Sequence, residues 1–246
     1  MRHSGICGVG GVLHIPLPPH LLDDPSMIFF MGSTGVFGYT GLTQTDQTKL
    51  LYWSVYETDL PSRGKKFNHD QALQQLRERH GGWTDPLIDK CLAKAELDNI
   101  YPIFVMPDLP HWGRDGCVLV GDAAHALSPR SGQGASQAFE DGQTLALLVA
   151  KRLQESDVGD AIDKSISDLY SVRYARVHNI GLKAMAWKDP KMPMPWWKTY
   201  MLYGFLFVFV KVMNLLNSIQ SIDSWDAKVE VEKYLSQDIQ ARLAKA

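Results

Sequence analysis

The 246-residue sequence contains little cysteine, and its beginning lacks the long apolar run of a secreted protein. Its three cysteines, Cys7, Cys91 and Cys117, are odd in number and far apart, which excludes a disulfide framework and a cysteine-based metal site. Because the prolines in Pro16–Pro19 interrupt the first apolar residues, no stretch of signal-peptide length follows the start. We therefore expect a reducing compartment and a cytoplasmic protein.

Excess positive charge is also absent. The chain has 25 Lys and Arg residues against 27 Asp and Glu residues, and its formal net charge is −2. Nucleic-acid binding requires clustered Lys and Arg, so the charge excludes that class of partner. Hydrophobic residues make up 45% and charged residues 21% of the sequence, which is typical of a globular protein.

The longest apolar stretch lies near the carboxy terminus. It runs over Tyr200–Val210, is interrupted by Lys211, resumes as far as Leu216, and follows the pair Trp196 and Trp197. A membrane-spanning helix needs about 20 apolar residues, and the uninterrupted run is about half that length. We expect a helix that packs on the protein or on a partner, with attachment to a membrane surface as the alternative.

The first part of the sequence predicts an antiparallel sheet over residues 4–59, since short β-branched and aromatic runs alternate there with turn residues. The predicted strands include Met27–Met31, Val36–Leu42 and Leu50–Tyr56. A capping pattern at Asn68 predicts a helix as far as Arg79. Thr84 and Pro86 predict the start of a second helix that ends near Leu97.

The second part combines strands and helices. Ile100–Met106 and Cys117–Val120 are apolar enough to predict two buried strands. Helices are predicted from near Gly132 and over Ala161–Trp187. The sequence therefore indicates a mixed α and β fold, with no internal repeat.

The most informative segment joins the second of these strands to a glycine-rich helix start. It contains Gly121-Asp122-Ala123-Ala124-His125, then Pro129, then Gly132-Gln133-Gly134, then Glu140-Asp141. A carboxylate at such a corner accepts hydrogen bonds from hydroxyl groups, and the free N–H groups of a helix N-terminus favour a polar, electron-rich ligand. A flavin dinucleotide offers both kinds of group.

This pattern resembles the second flavin fingerprint of single-component, FAD-dependent monooxygenases of the aromatic-hydroxylase type. Upstream, Tyr101-Pro102-Ile103 and Leu109-Pro110-His111-Trp112 resemble fungal-type members. The closing segment, with Arg173, Arg176 and Val177 on one helix and Ser224-Trp225-Asp226 near the end, is similar too. The resemblance implies an α/β (α+β) fold: a substrate-binding sheet domain at 1–105, a partial FAD-binding domain at 106–155 and a helical region at 156–246.

The resemblance also implies roles for individual residues. Gly121 and Asp122 would form the corner, where the Asp122 carboxylate binds ribityl hydroxyls. Backbone N–H groups would face the pyrimidine edge of the flavin ring, and Pro129 would hold the loop against that ring. The residues that would present the N–H groups are Gly132, Gln133, Gly134 and Ala135. His125 is interpreted as a local hydrogen-bonding residue rather than a proton carrier.

In this family the cofactor performs the chemistry. NAD(P)H reduces FAD, and the reduced flavin uses O2 to insert one oxygen atom into an organic substrate. The sheet would form the wall of the substrate site for an apolar or aromatic small molecule. Four aromatic residues are candidates for that wall, and two of them should face away from it on alternating strands: Phe37, Tyr39, Tyr52 and Trp53. Tyr39 is the chosen substrate-binding residue.

The family's Gly-x-Gly-x-x-Gly motif, which holds the FAD pyrophosphate, is missing from this sequence. Gly8-Val9-Gly10-Gly11 imitates it weakly, but the strand-like residues that follow predict a turn within the sheet. The family's middle Asp-Gly motif is also absent, so about the first half of a full-length enzyme is expected to be lacking. FAD would then bind several kcal/mol more weakly.

Three interpretations remain open. The chain is a truncated FAD-dependent monooxygenase that is active when the missing part is supplied, a shortened relative with non-redox cyclase or isomerase activity, or a non-catalytic partner protein. The first is preferred because Gly121, Asp122, Gly132 and Gly134 are all intact.

Overall fold

The computed structural model describes residues 1–23, 26–32, 34–42, 48–57, 68–97, 99–186, 196–215 and 225–243. The chain divides into two compact units. The sheet unit comprises His3–Phe104, and the helical unit comprises Val105–Lys188 and Pro193–Ala246 with the first two residues. The predicted mixed α and β architecture is confirmed. The finer division of the helical unit at residue 155 stays a prediction.

The sheet unit is built on a five-stranded sheet with the order β2-β3-β4-β1-β5. Its strands are β1 Arg2–His14, β2 Ile28–Gly32, β3 Gly35–Gly41, β4 Lys49–Glu57 and β5 Asn99–Val105. Neighbours β2 and β3, β3 and β4, and β4 and β1 pair antiparallel, as the alternating sequence pattern predicts. The helices of this unit are α1 Pro19–Asp23, α2 His69–His80 and α3 Pro86–Lys94.

One face of the sheet forms the core with α2 and α3. Tyr39 lies opposite Tyr52 in the strand register, and both side chains are buried against a cluster that includes Leu76 and Ile88. The Asn68 side chain accepts a hydrogen bond from the Gln71 N–H and begins α2, as predicted.

The N-cap of helix α3 lies one residue later than the sequence pattern indicated. Asp85, rather than Thr84, caps α3, because its carboxylate accepts the N–H groups of Leu87 and Ile88. The helix ends at Lys94, before the predicted Leu97.

The Gly8–Gly11 segment is not a turn, contrary to the sequence-based prediction. It lies within the continuous strand β1. A Cβ atom on Gly10 would lie 2.5 Å from the Tyr52 carbonyl oxygen, and one on Gly11 would lie 2.7 Å from the Glu96 carbonyl oxygen. These glycines therefore permit close approach of backbone within the sheet rather than a change of direction.

Two predicted buried strands are also corrected. β5 is the edge strand of the sheet, and its Tyr101 and Phe104 side chains are exposed. Instead of a buried strand over Cys117–Val120, the structure has a two-stranded ribbon of β6 Gly113–Arg114 and β7 Cys117–Val118, with Leu119 and Val120 exposed. Apolar sequence predicts burial only where another element covers the strand. Ile100 and Val118 are partly buried against the two cores, while Tyr101, Phe104, Leu119 and Val120 face solvent.

The helical unit contains α4 Asp122–His125, α5 Gly134–Arg152, α6 Val158–Ala186, α7 Trp196–Leu215 and α8 Ala227–Leu243. A single 3-10 turn, Pro129–Ser131, precedes α5, so that helix begins two residues after the predicted start at Gly132. Helix α6 matches the predicted span. Helices α5, α6 and α8 pack together around a core that contains Trp112, Leu148, Leu169 and Val231.

Buried ion pairs add to this packing. The Arg152 side chain on α5 is buried and donates to Asp168 on α6 and to Asp238 on α8. One guanidinium thus links three helices, because its planar set of donors reaches several carboxylates at once. Among the helices that the structure describes, none has the combination of length and apolarity that crossing a membrane requires.

Candidate functional site

The Gly121-Asp122 corner connects the β6–β7 ribbon to α4. Gly121 has a φ of +56°, in the left-handed region that glycine tolerates. A Cβ atom added to Gly121 would lie 3.0 Å from the Cβ of Ala138 on α5. The turn therefore needs glycine both for its conformation and for its contact with α5, and it places Asp122 at the first position of α4.

Asp141 on α5 fixes this corner from behind. Its carboxylate accepts the Gly121 N–H at 2.9 Å, bonds to His125 Nε2 at 2.6 Å and accepts from Arg173 Nε at 2.9 Å. Asp141 is fully buried. Burial by itself would raise the pKa of this carboxyl, but the hydrogen bonds from His125, Gly121 and Arg173 outweigh it and lower the pKa. An ionised carboxylate thus holds both ends of α4.

The charge of Asp141 is balanced by a buried arginine on α6. Arg173 also donates to Gln137 Oε1 at 2.7 Å and pairs with Glu140, which in turn accepts from Arg176 at 2.8 and 2.9 Å. The network joins α5 to α6 next to the corner, so the corner belongs to a rigid part of the unit.

The closing segment completes this network. The Trp225 ring lies 4.4 Å from the Arg173 guanidinium, which stacks over it. The structure thereby connects the residues that the sequence resemblance had picked out in α6 and near the end of the chain.

Asp122 differs from Asp141 in its exposure and in its hydrogen bonds. Its side chain is exposed, and it makes no hydrogen bond to any residue that the structure describes. Of the two carboxylates near the corner, one is used within the protein and the other is free for an external donor. His125, by contrast, is buried and bonded to Asp141, in agreement with its interpretation as a local hydrogen-bonding residue.

The loop before α5 brings together the other predicted cofactor residues. Pro129 starts the 3-10 turn, Gly132 ends it with a φ of +64°, and Gln133 precedes the first residue of α5. The first intrahelical bond runs from Gln137 N to Gln133 O at 2.9 Å. The N–H groups of Gly132 and Gln133, which were also predicted to face the ligand, instead donate within the loop, to the Pro129 carbonyl at 3.0 Å and to the Ser131 hydroxyl at 3.2 Å. Those of Gly134 and Ala135 bond to none of the described residues. The positive end of a 19-residue helix is therefore open.

The space around the loop glycines is open as well. A Cβ atom added to Gly132 or Gly134 would have no neighbouring atom within 4 Å. Nothing in the described chain fills the room next to this helix start, so a ligand can approach the backbone closely.

Tyr39 lies in the core of the sheet unit. It is almost fully buried, its ring is 5.7 Å from that of Phe30, and its hydroxyl donates to the Asp85 carboxylate at 3.3 Å. Burial and the nearby Asp85 charge raise its pKa. Since Tyr39 does not line the cavity on the open face of the sheet or the one beside Trp112 and Tyr174 in the helical unit, its substrate-binding role stays a prediction. Three of the four candidate aromatics, Phe37, Tyr39 and Tyr52, share this covered face, so the predicted division of two and two is wrong.

Trp53 points to the opposite, open face of the sheet. A cavity of about 510 Å³ lies there, and its residues include Gly8, Gly10, Trp53 and Tyr101. The Trp53 ring covers Gly38, where a Cβ atom would come within 2.4 Å, and packs edge-on against Phe29 at 5.3 Å. Sequence reasoning missed Phe29 and Tyr101 at this face, although glycines two residues apart in β1 were a signal for a flat surface.

Comparisons with known proteins agree with this geometry. The sequence model of the FAD binding domain matches residues 19–171. A chloroplastic zeaxanthin epoxidase of Solanum lycopersicum is 38% identical over 142 residues, which cover 54% of this chain and 20% of that protein. The FAD-dependent monooxygenase OpS4 of Beauveria bassiana is 30% identical over 129 residues, covering 52% and 29%.

Among solved structures, a salicylate hydroxylase in complex with substrate has a TM-score of 0.62 at 19% identity, covering 95% of this chain and 57% of that one. The chain thus spans less than a third of these curated relatives and just over half of that hydroxylase. The chain has an FAD-dependent monooxygenase among its relatives. Because the sequence model of the FAD binding domain covers more than half of the sequence, the chain belongs to the FAD-binding-domain family.

Proposed function

We propose that this chain takes part in FAD-dependent monooxygenation of an apolar, flat organic molecule, with NAD(P)H as the reductant. The observation that carries the proposal is the exposed Asp122 carboxylate, which bonds to none of the described residues and lies on a corner that Asp141 holds rigid. Such a carboxylate beside an open helix start matches what a flavin requires: acceptors for ribityl hydroxyls and donors for the ring edge.

The residues fit FAD on three counts. Asp122 would accept hydrogen bonds from two ribityl hydroxyls, and the N–H groups of Gly134 and Ala135 would donate to the polar edge of the ring system. Pro129 would limit movement of the loop through its fixed φ. The open space at Gly132 and Gly134 leaves room for a planar group against the backbone. The bound flavin would supply the redox chemistry, accepting electrons from NAD(P)H and passing one oxygen atom of O2 to the substrate.

The open face of the sheet unit supports the proposed substrate class. Its glycines form a flat floor, and Trp53, Phe29 and Tyr101 add aromatic surface. Such a surface favours a planar or extended apolar molecule, which gains from contact with ring faces and from removal of apolar area from water.

The decisive experiment measures FAD affinity of the purified chain and of Asp122→Ala. We expect the variant to bind about 10- to 100-fold more weakly, since a hydrogen bond to a charged group contributes about 1.5–3 kcal/mol. Asp115→Asn is the matched control, because Asp115 is an exposed carboxylate on the β6–β7 turn. Equal FAD affinity of wild type and Asp122→Ala would refute the ribityl role.

Activity separates the monooxygenase proposal from the other interpretations. We expect added FAD to support NAD(P)H oxidation that consumes O2 and rises with an apolar aromatic substrate. Turnover of such a substrate in anaerobic buffer without flavin would instead support a cyclase or isomerase. FAD binding without any NAD(P)H oxidation, both by the chain alone and after a pyrophosphate-binding part is supplied, would contradict the oxidative function of this chain.

A further inference from the structure

Helix α7 exposes an unusual amount of apolar surface. Every α7 side chain that the structure describes is exposed, and the large apolar ones, from Trp197 to Val212, are 45–70% accessible. Leaving such side chains in water forfeits the free energy that burial of their apolar area would gain. An exposed apolar patch of this size marks an interaction surface.

The distribution of the apolar residues around α7 indicates what covers it. Phe207, Val208 and Phe209 are consecutive, and successive residues of a helix point about 100° apart, so they face three different directions. A helix that docks into a protein groove has one apolar stripe and one polar face. By sequence α7 is apolar on all sides, which suits a surrounding hydrocarbon medium.

The charged residues of α7 and the distance between them limit how far the helix can extend through a membrane. Helix α7 contains no Asp or Glu, and its only charged residues are Lys198 and Lys211. Their ammonium groups lie over the Trp197 and Phe207 rings at 5.3 and 5.7 Å. The two lysines are 13 positions apart in the sequence, a rise of about 20 Å, which is shorter than the hydrocarbon core of about 30 Å.

We propose that α7 enters one leaflet of a membrane that contains anionic lipids, without crossing the bilayer. Its apolar side chains enter the acyl region, Trp197 and the tyrosines near the helix start lie at the level of the headgroups, and the two lysines reach the lipid phosphates. The membrane surface would then hold the chain where apolar substrates concentrate. Only this last point rests on the proposed function, because lipid binding is independent of FAD.

The test is co-sedimentation of the full chain with vesicles of phosphatidylcholine, with and without one part in four of phosphatidylglycerol. We expect binding to the anionic vesicles, and Phe207→Glu should reduce the partition coefficient at least tenfold. Val229→Glu is the matched control, since Val229 is an exposed apolar residue on α8. It should bind as the wild type does.

A second variant keeps the proposal testable if the glutamate substitution disturbs folding. Replacing both lysines, Lys198→Gln with Lys211→Gln, should lower binding to anionic vesicles about 30-fold while leaving the apolar surface intact. Failure of the wild type to sediment with either vesicle would overturn the proposal. So would equal losses in Phe207→Glu and Val229→Glu, or a concentration-dependent dimer that vesicles do not dissociate, since a second copy would then cover α7.

Discussion

A buried histidine makes the stability of the sheet unit depend on pH. His80, the last residue of α2, is fully buried, and its Nε2 lies 2.8 Å from the Ser54 hydroxyl oxygen on β4. Its Nδ1 is buried without a hydrogen bond to any described residue. The ring packs between Phe37 and Trp83 at 5.2 and 4.5 Å. Burial, and then the charge of Arg79, lowers the pKa of His80 from 6.5 to about 4.

The sign and size of the effect follow from proton linkage. The folded pKa is lower than the unfolded one, so the unfolded state takes up a proton first as the pH falls. The stabilisation is complete above about pH 6.5 and is lost between about pH 6.5 and pH 4. Lowering the pKa of His80 from 6.5 to about 4 stabilises the folded state by about 3 kcal/mol, since one pKa unit corresponds to about 1.36 kcal/mol. Most of this stabilisation should be lost by about pH 4.5.

The assay is urea unfolding of wild type and His80→Gln at about pH 7 and about pH 4.5, followed by NMR signals of the sheet unit. Glutamine keeps a polar group near Ser54 but does not titrate, so the wild type should lose about 2 kcal/mol more than the variant on acidification. His111→Gln, which replaces an exposed histidine, should lose as much as the wild type. Equal acid sensitivity of wild type and His80→Gln would refute the reasoning.

Two further predictions concern the corner itself. Asp141→Asn should destabilise the helical unit by about 3–5 kcal/mol in chemical unfolding, because it removes one of the two carboxylates that pair with the buried Arg173 and the charge that holds Gly121 and His125; an unchanged midpoint would contradict the role of the network. Gly121→Ala should destabilise by about 1–3 kcal/mol through its positive φ and the contact with Ala138. In contrast, Gly142→Ala within α5, where a Cβ meets no atom within 4 Å, should stabilise by about 0.5–1 kcal/mol; loss of stability there would show that α5 is packed more tightly than described.

Local sequence patterns predicted the elements whose cause is local. Asn68 caps α2 because a short polar side chain before a helix accepts a free N–H group. Gly121 and Gly132 have positive φ angles, at which the Cβ atom of any other residue would strain the backbone. Alternation of apolar residues was sufficient for the antiparallel pairs around β3 and β4.

Predictions that needed knowledge of distant neighbours were the ones that failed or stayed open. Gly10 looked like part of a turn, but the reason for it is the Tyr52 backbone on the adjacent strand. In the strand predicted over Cys117–Val120, Val118 packs on the helical core, whereas Cys117, Leu119 and Val120 are exposed. The alternation of side chains along the strands predicted that candidate aromatics such as Tyr39 and Trp53 divide between the two faces of the sheet. It did not show which of the two faces the helices cover.

The sequence by itself determined the glycine-bounded corner, the helix start beside it and the family to which both are similar, since these depend on residues close together in the chain. Only the tertiary structure decided that the Asp141 carboxylate bonds to Gly121, His125 and Arg173, while Asp122 bonds to none of the described residues. Arg173 is 32 residues from Asp141, and the assignment of a buried carboxylate to its partners depends on how two helices pack. Long-range packing, which no local pattern encodes, therefore separates the structural acid from the one available to a ligand.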